Sequence, residues 1–511
     1  MAIRKLLVLV LLLAFIVSLQ SVHAPAAPTG ALTVAQPTDI TFLIPMRGTF
    51  SSDASVHYAI MDPLLMRDEH GKFIPMLATR WRNISPTEWE FDLRRGVKFH
   101  NGEDFTAQTV AWNMQYTLNP APGVIRAPVF NTFAGADVVN PYQVRIRTKR
   151  PDPLLLANMV RWFMLPPAYM EREGDDGWMR QPVGTGPYRW VSYTRGANVK
   201  LVANTAYWAS APTIREITFR IIPDASTRFA ALRAREVHVL AGLTPDQAEL
   251  LEADRNGPAV LMSAPSVRGA LIQFFPDSPQ GGGEPLKDRR VRQALNLGVD
   301  VERIIKFVLR GQAVRTPTLF PPAGFTYNKN LPPYPYDPER AKALRAEAGY
   351  PSGFNATMEV PPTFVVPKTM EVAQVVAEDL RKIGVNVTIR PVELGTMVSA
   401  RAQRRLAPLY FWSWGSDTLD PDSFYFRYAY TKYMFGWVGT QEIDQLIERG
   451  ATTMNPVTRE GIYKQLHPMV KDLAPAIFLY MSKDLYGVSK RVDWTPRVDE
   501  YILVKNIRWA R

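Results

Sequence analysis

Twelve of the 28 residues from 410 to 437 are aromatic, and the chain's most unusual chemistry is concentrated there. Trp412, Trp414 and Trp437 stand among nine Phe and Tyr rings. Large rings offer apolar area with a polar handle on Tyr and Trp, which suits a pocket that closes, although most rings in such a run pack as core. Asp417 follows Gly415 in a glycine-containing turn after an apolar strand. A carboxylate ringed by aromatics is costly to bury unless it is paired. A ligand ammonium would pair it, helped by cation–π attraction to the rings. An internal partner such as Arg427, or a backbone cap, would pair it equally well. Asp417, Trp414, Trp412, Gly415 and Trp437 are therefore the candidate ligand-binding residues.

Other chemistries lack their residues. The sequence has neither a G-x-S-x-G elbow nor H-E-x-x-H. Gly71 and Lys72 lead into Phe73 without the upstream glycine of a P-loop, and Gly281 to Gly283 precede Glu284 and Pro285 rather than a dinucleotide fingerprint. His57, His70, His100, His238 and His467 are too far apart for a helical metal pair, and each is expected in a surface or turn role. Asp175 and Asp176 read as a solvated turn. Asp420 and Asp422, on either side of Pro421, read as turn or helix caps. Two carboxylates can run glycoside hydrolysis, so a secreted hydrolase stays as a minor alternative. No catalytic residue, metal or cofactor is expected.

The elements that would position these residues come in two styles. Residues 38–45 read as a short opening strand. Asp68 to Gly71 read as a turn between extended pieces. Trp89, Phe91 and Leu93 alternate with Glu90, Asp92 and Arg94 as a half-buried strand, with a further strand at 97–100. Thr106 caps a helix bearing Val110, Met114 and Leu118. Further on, Thr244, Pro245 and Gln247 form a capping box, and Asp288, Asp300 and Asp337 begin helices. Residues 369–383 are amphipathic up to Gly384, and Val385, Val387 and Ile389 alternate as a strand. Helices alternating with such strands predict an α/β lobe. Residues 275–285 (FPDSPQGGGEP) read as a linker, and 479–487 as a second crossing.

The counts set the frame. At 511 residues the chain exceeds the roughly 250–300 at which single cores stop growing, so two or three lobes are expected. Cysteine is absent, which removes disulfides, Cys-ligated metals, thiol nucleophiles and thioether lipid anchors. Arg4 and Lys5, the apolar run 6–17 and a polar stretch ending at Ala24 have the layout of a secretory signal peptide. Cleavage is expected after residue 24, with Ala26 and Ala27 as other positions. An uncleaved membrane anchor is disfavoured because the run falls short of about 20 residues. The net charge of +12 raises the question of a nucleic-acid partner. The basic residues are scattered, however, and the densest group, Arg401, Arg404 and Arg405, reads as one helix face, so no nucleic acid is expected.

Several blocks, in order, resemble the solute-binding proteins of peptide-type ABC importers, bacterial extracellular solute-binding family 5. Residues 71–81 (GKFIPMLATRW) are similar to the family's G-x-x-x-P-x-L-A-x-x-W, and 91–102 (FDLRRGVKFHNG) to F-x-L-R-x-G-V-K-F-H-x-G. Gly184 to Tyr188 (GTGPY), Asn204 with Tyr207 and Trp208, 288–294 (DRRVRQA), 336–349 and 414–421 follow, so the resemblance covers about 40–500. It implies an α/β periplasmic-binding-protein type II fold, with two hinged lobes and an extra inserted domain. Residues 30–60, 183–278 and 480–511 would form lobe I, 61–182 the insert and 279–479 lobe II, with 275–285 as one of two hinge strands. Closure of such lobes traps a ligand.

In peptide binders of the family, an aspartate in W-x-x-D-x-x-[DE]-P holds the peptide's α-ammonium. Trp414, Asp417, Asp420 and Pro421 reproduce that pattern, so the resemblance assigns the role to Asp417. Two departures matter. Residues 361–367 (PPTFVVP) lack the arginine that dipeptide binders use for the ligand carboxylate, and the pocket segment lacks the His or Cys a nickel binder would use. The expectation is a periplasmic, monomeric receptor that is not an enzyme. Its partners would be a small solute, a peptide or similar, and the ABC permease of the inner membrane. An oligosaccharide or opine-like solute is the alternative, with tryptophan stacking in place of charge. Without cysteine, the chain would not be a lipoprotein.

Overall fold

The computed structural model describes residues 27–48, 51–119, 128–362, 366–415, 418–433 and 436–510. The first strand is Thr29–Gln36, upstream of the expected one. The stretch 38–45 turns instead, because the buried Asp53 carboxylate accepts the N–H groups of Thr41 and Phe42, each at 2.9 Å. Residues 97–100 form no strand, and Lys98 meets Asp104 through a single bridge. The predicted helices are present where capping chemistry announced them. Thr106 and Thr244 make full capping boxes, and Asp288, Asp300 and Asp337 each accept an N–H in the first turn of their helices.

Eleven strands form one mixed sheet. At one end lie Val385–Pro391, Phe354–Val360 and Leu409–Gly415, mutually parallel. At the other lie Val239–Ala241, Thr29–Gln36, Ile214–Ile221, Asn198–Ala203 and Tyr188–Thr194. Two long strands join the halves, Ala259–Phe274 and Ala476–Ser489. These crossing strands pair antiparallel, with register shifts between Pro265 and Gly269 and between Ala270 and Leu271. On the far side of the shift, the first crossing strand picks up Leu409–Gly415 as a second neighbour. The chain thus passes between lobes inside a continuous strand. Residues 275–285, expected as a hinge strand, are instead a loop that follows it and the start of the 3-10 turn Glu284–Lys287, and 479–487 lie within the second crossing strand.

A separate four-stranded antiparallel sheet carries Ala78–Ser85, Glu88–Leu93, Gln143–Thr148 and Phe133–Asn140, with helix Ala107–Leu118 against it. Gly184 and Gly186 bring the GTGPY turn against the end of helix Ser51–Ile60. A Cβ on Gly184 would lie 1.9 Å from the Ile60 carbonyl oxygen, and one on Gly186 2.5 Å from the Ile60 carbonyl carbon. Beneath that turn the buried Asp62 accepts from Thr185, Tyr207 and Trp208 at 2.8–2.9 Å, and burial raises its carboxyl above the usual range.

Residues 409–412 of strand Leu409–Gly415 are buried on both faces, as a central strand in a layered α/β fold must be, and burial loosens toward Gly415. Leu409 and Phe411 join the core under helices Arg289–Leu297, Pro338–Glu347 and Thr369–Lys382. Tyr410 and Trp412 join the opposite core, with Phe424, Tyr425, Tyr428 and Tyr463. Two further contacts link distant parts of the chain. Asp246, on helix Pro245–Ala253, meets Lys368 at 2.5 Å and Arg310 at 3.3 Å, both more than 60 residues further along the chain. At the chain ends, the Trp509 indole donates to the Thr29 carbonyl at 3.2 Å and packs where a Gly30 Cβ would stand. No helix among the described residues is long and apolar enough to cross a membrane.

Candidate functional site

A cleft of about 580 Å³ opens where three parts of the chain meet. The region of the four-stranded sheet contributes Asn131, Thr132, Arg150, Asp152, Leu154, Asn158 and Arg161. The first crossing strand contributes Val267 and Arg268, and the C-terminal segment Glu500. The far wall is Ser413, Gly415, Thr418 and the segment from Asp422 to Tyr433.

Strand parity decides which residues of 409–415 reach the cleft. Ser413 and Gly415 share a face and line it. Trp412 and Trp414 share the other face, beneath Arg401, whose guanidinium carbon lies 4.4 Å from each ring centroid. Trp414 also lies 5.2 Å under Arg427, which donates to the Gly415 carbonyl at 2.8 Å. Trp437 stacks on Phe275 with centroids 4.0 Å apart, lies under Arg404, and donates to the Tyr410 hydroxyl at 2.8 Å. The structure therefore brings Gly415 to the cleft and sets the three tryptophans behind its wall. Asp417 lies outside the described residues, two positions beyond Gly415, as do residues 363–365 of the arginine-free stretch.

The charged groups around the cleft are internally braced. Arg268 donates through Nε to Glu500 at 2.7 Å, and Ser266 donates to the same carboxylate at 3.0 Å. Glu500 keeps the Arg268 guanidinium firmly protonated. Asp152 holds the turn ahead of the short helix Leu155–Met159, accepting from the Leu154 N–H at 2.9 Å and from Thr132 at 2.6 Å, while burial raises its carboxyl. Arg67 reaches across to the Thr418 carbonyl at 2.6 Å, and its own carbonyl accepts from Arg497 at 2.7 Å. Asp420 is not a simple cap, since Arg459 grips both its oxygens at 2.5 and 2.7 Å inside the protein. Asp422, on the cleft wall, is pushed up to about 7 by burial and then by the neighbouring Asp420 charge.

Several groups differ from their expected roles. Helix Pro167–Arg180 breaks at Gly174 (φ 63°), and Asp175, just after the break, holds Arg47 and the Tyr116 hydroxyl rather than pointing free into solvent, while Asp176 stays exposed. His57 and His467 are buried and His100 half-buried, set against carbonyls of Phe42, Thr326 and Gly186 at 2.8–2.9 Å, and desolvation lowers each to about 4. They serve as neutral core donors, while His70 keeps the exposed turn role. Among the described residues, no group of three His, Asp or Glu is placed to hold a metal ion. Sequence reasoning missed Arg161, Asp152, Arg268 and Glu500. Only Arg268 carried a signal, as a charge within an otherwise apolar strand.

A mixed sheet continuous through two crossing strands, with a cleft beside the crossing, defines a two-lobed periplasmic-binding-protein fold of type II with an inserted domain. Comparison with known proteins agrees. The family described as bacterial extracellular solute-binding proteins, family 5 (middle), matches residues 72–435, and the chain belongs to this family. The chain is 28% identical to heme-binding protein A of Haemophilus influenzae over 82% of its length and 80% of that protein's. It is also 28% identical to the dipeptide-binding protein of Escherichia coli, over 82% and 83% of the two chains. The structure of HbpA2 from Haemophilus parasuis superposes with a TM-score of 0.83 at 23% identity, covering 94% of this chain and all of that one.

Proposed function

We propose that this protein is the periplasmic receptor of an ABC importer. It binds a peptide or related amine-bearing solute between its lobes and delivers it to the membrane permease. In this reading residues 1–24 are a cleaved signal peptide, and the chain works as a diffusible monomer. Lobe I is 30–60, 183–278 and 480–511, the insert is 61–182, and lobe II is 279–479. The observation that carries the reading is the cleft itself. Its walls come from the insert, the C-terminal segment and lobe II, so a solute held there would touch every moving part. Membership of a solute-binding family and the dipeptide-binding relative support the solute class.

Asp417 is the residue proposed to pair the solute's ammonium, because it follows Gly415 at the cleft wall and ends the W-x-x-D pattern. Trp412, Trp414 and Trp437 then act from behind, holding the strand Leu409–Gly415 in place. Native mass spectrometry of the purified mature protein tests the solute class. A ladder of co-purified peptide masses is expected, and a single saccharide mass would reject it. For the charge, Asp417→Asn should weaken an amine ligand by about 2–5 kcal/mol, as for a broken buried charge pair. Unchanged affinity in calorimetry would remove Asp417 from the site.

A further inference from the structure

We infer that Phe426, Tyr430 and Tyr433 form an aromatic wall of the cleft that selects solutes carrying a planar aromatic group. The inference rests on the receptor reading and deepens it by naming a substrate class. Helix Asp422–Tyr428 buries Phe424, Tyr425 and Tyr428 completely, yet leaves Phe426 37% exposed on its other face. Exposed phenylalanine is ordinary on a surface, but here the ring lines the cavity. It is also not alone. The Tyr430 ring stacks on it at 5.1 Å and 24°, and the Tyr433 ring leans on it at 4.8 Å and 46°.

The cluster is held in place from behind. Tyr430 donates its hydroxyl to Glu448 at 2.7 Å, and Lys432 donates to the same carboxylate oxygen at 2.6 Å. The tyrosine's polar end is thereby satisfied, which leaves its ring for contact. From the insert, the same cavity receives the apolar side chains of Val129 and Leu154. A planar group entering between these surfaces extends the existing stack, gaining both buried apolar area and offset ring contact. An alanine-sized group would leave the phenylalanine wet.

The test is calorimetry on the full mature protein with trialanine, Ala-Phe-Ala, Ala-Trp-Ala, tryptamine and maltotriose. Measurements on Phe426→Ala and Phe426→Tyr run alongside, with thermal melts to establish that both fold. The aromatic tripeptides should bind about tenfold or more tightly than trialanine. Phe426→Ala should cut that ratio to below about threefold, and Phe426→Tyr should keep it. A wild-type ratio near one, or a ratio that survives Phe426→Ala, overturns the wall. Tryptamine binding that depends on Phe426, without tripeptide binding, upholds the wall and sinks the peptide reading. Tripeptide binding without aromatic preference does the reverse. Binding of maltotriose alone, or of no compound, overturns both.

Discussion

Asp422 is a carboxyl on the cleft wall whose titration is displaced to about 7, first by burial and then by Asp420 beside it. Unfolded carboxyls titrate near 4. Between those values the native state holds a proton that the unfolded state has released, so wild-type stability is lost as pH rises through this window. An amide at the same position does not titrate. The stability of Asp422→Asn relative to wild type should therefore grow from pH 4 to pH 7, by up to about 1.4 kcal/mol per unit. Urea melts across that range check it, and a pH-independent difference would show that the carboxyl titrates normally. His57, His100 and His467 have the opposite sign. Lowered to about 4, they contribute a loss of stability as pH falls from about 6.5. None of these shifts was legible beforehand, because burial is set by neighbours far away in the chain.

At the scale of elements, local chemistry announced most helices. Asp288, Asp300, Asp337, Thr106 and Thr244 each satisfy first-turn N–H groups, a short-range demand visible in a few consecutive letters. The aromatic density at 410–437 was also visible, but its facing was not. Alternation along Leu409–Gly415 turns Ser413 and Gly415 toward the cleft and the tryptophans away, and the register comes from pairing with residues 268–274. The remaining wall joins positions near 130–161, 267–268 and 500, which no spacing rule connects. The GTGPY turn is the converse case, a motif whose glycines have a steric reason. Gly186→Ala forces a methyl into the backbone at residues 59–61 and should cost about 2–3 kcal/mol, read as a lowered Tm. A variant as stable as wild type would mean that the contact relaxes freely.

Across the whole molecule, the crossing strands have two outer edges. The first crossing strand's edge carries Leu409–Gly415 and the cleft. The second's carries residues 313–314, just after Arg310. Near this second edge Arg310 and Lys368 hold Asp246, across the boundary proposed between the lobes, and the Lys368 contact keeps that carboxyl below its usual range. Both cations sit at left-handed φ, 53° and 61°, a conformation that costs energy in non-glycine residues. The tether favours the present lobe arrangement, in which Arg67 already spans to Thr418. Asp246→Asn should therefore weaken solute binding up to about fivefold without touching the cleft, and more so at low ionic strength. Titrations at two salt concentrations would decide, and identical affinities at both would dismiss the tether.

The contact between Trp509 and Thr29 holds both ends of the described chain beside each other. Under the proposed lobe boundaries both belong to lobe I, so their separation stays fixed as the lobes swing. Fluorophores attached at the two ends would therefore be blind to solute, whereas a pair split between residue 29 and an exposed position of the proposed lobe II, such as Ala346, would respond. The same closeness makes the protein a candidate for circular permutation. A short linker from Ala510 back to the strand at Thr29, with new ends opened at the exposed turn at Gly196, should yield a chain that folds and still binds.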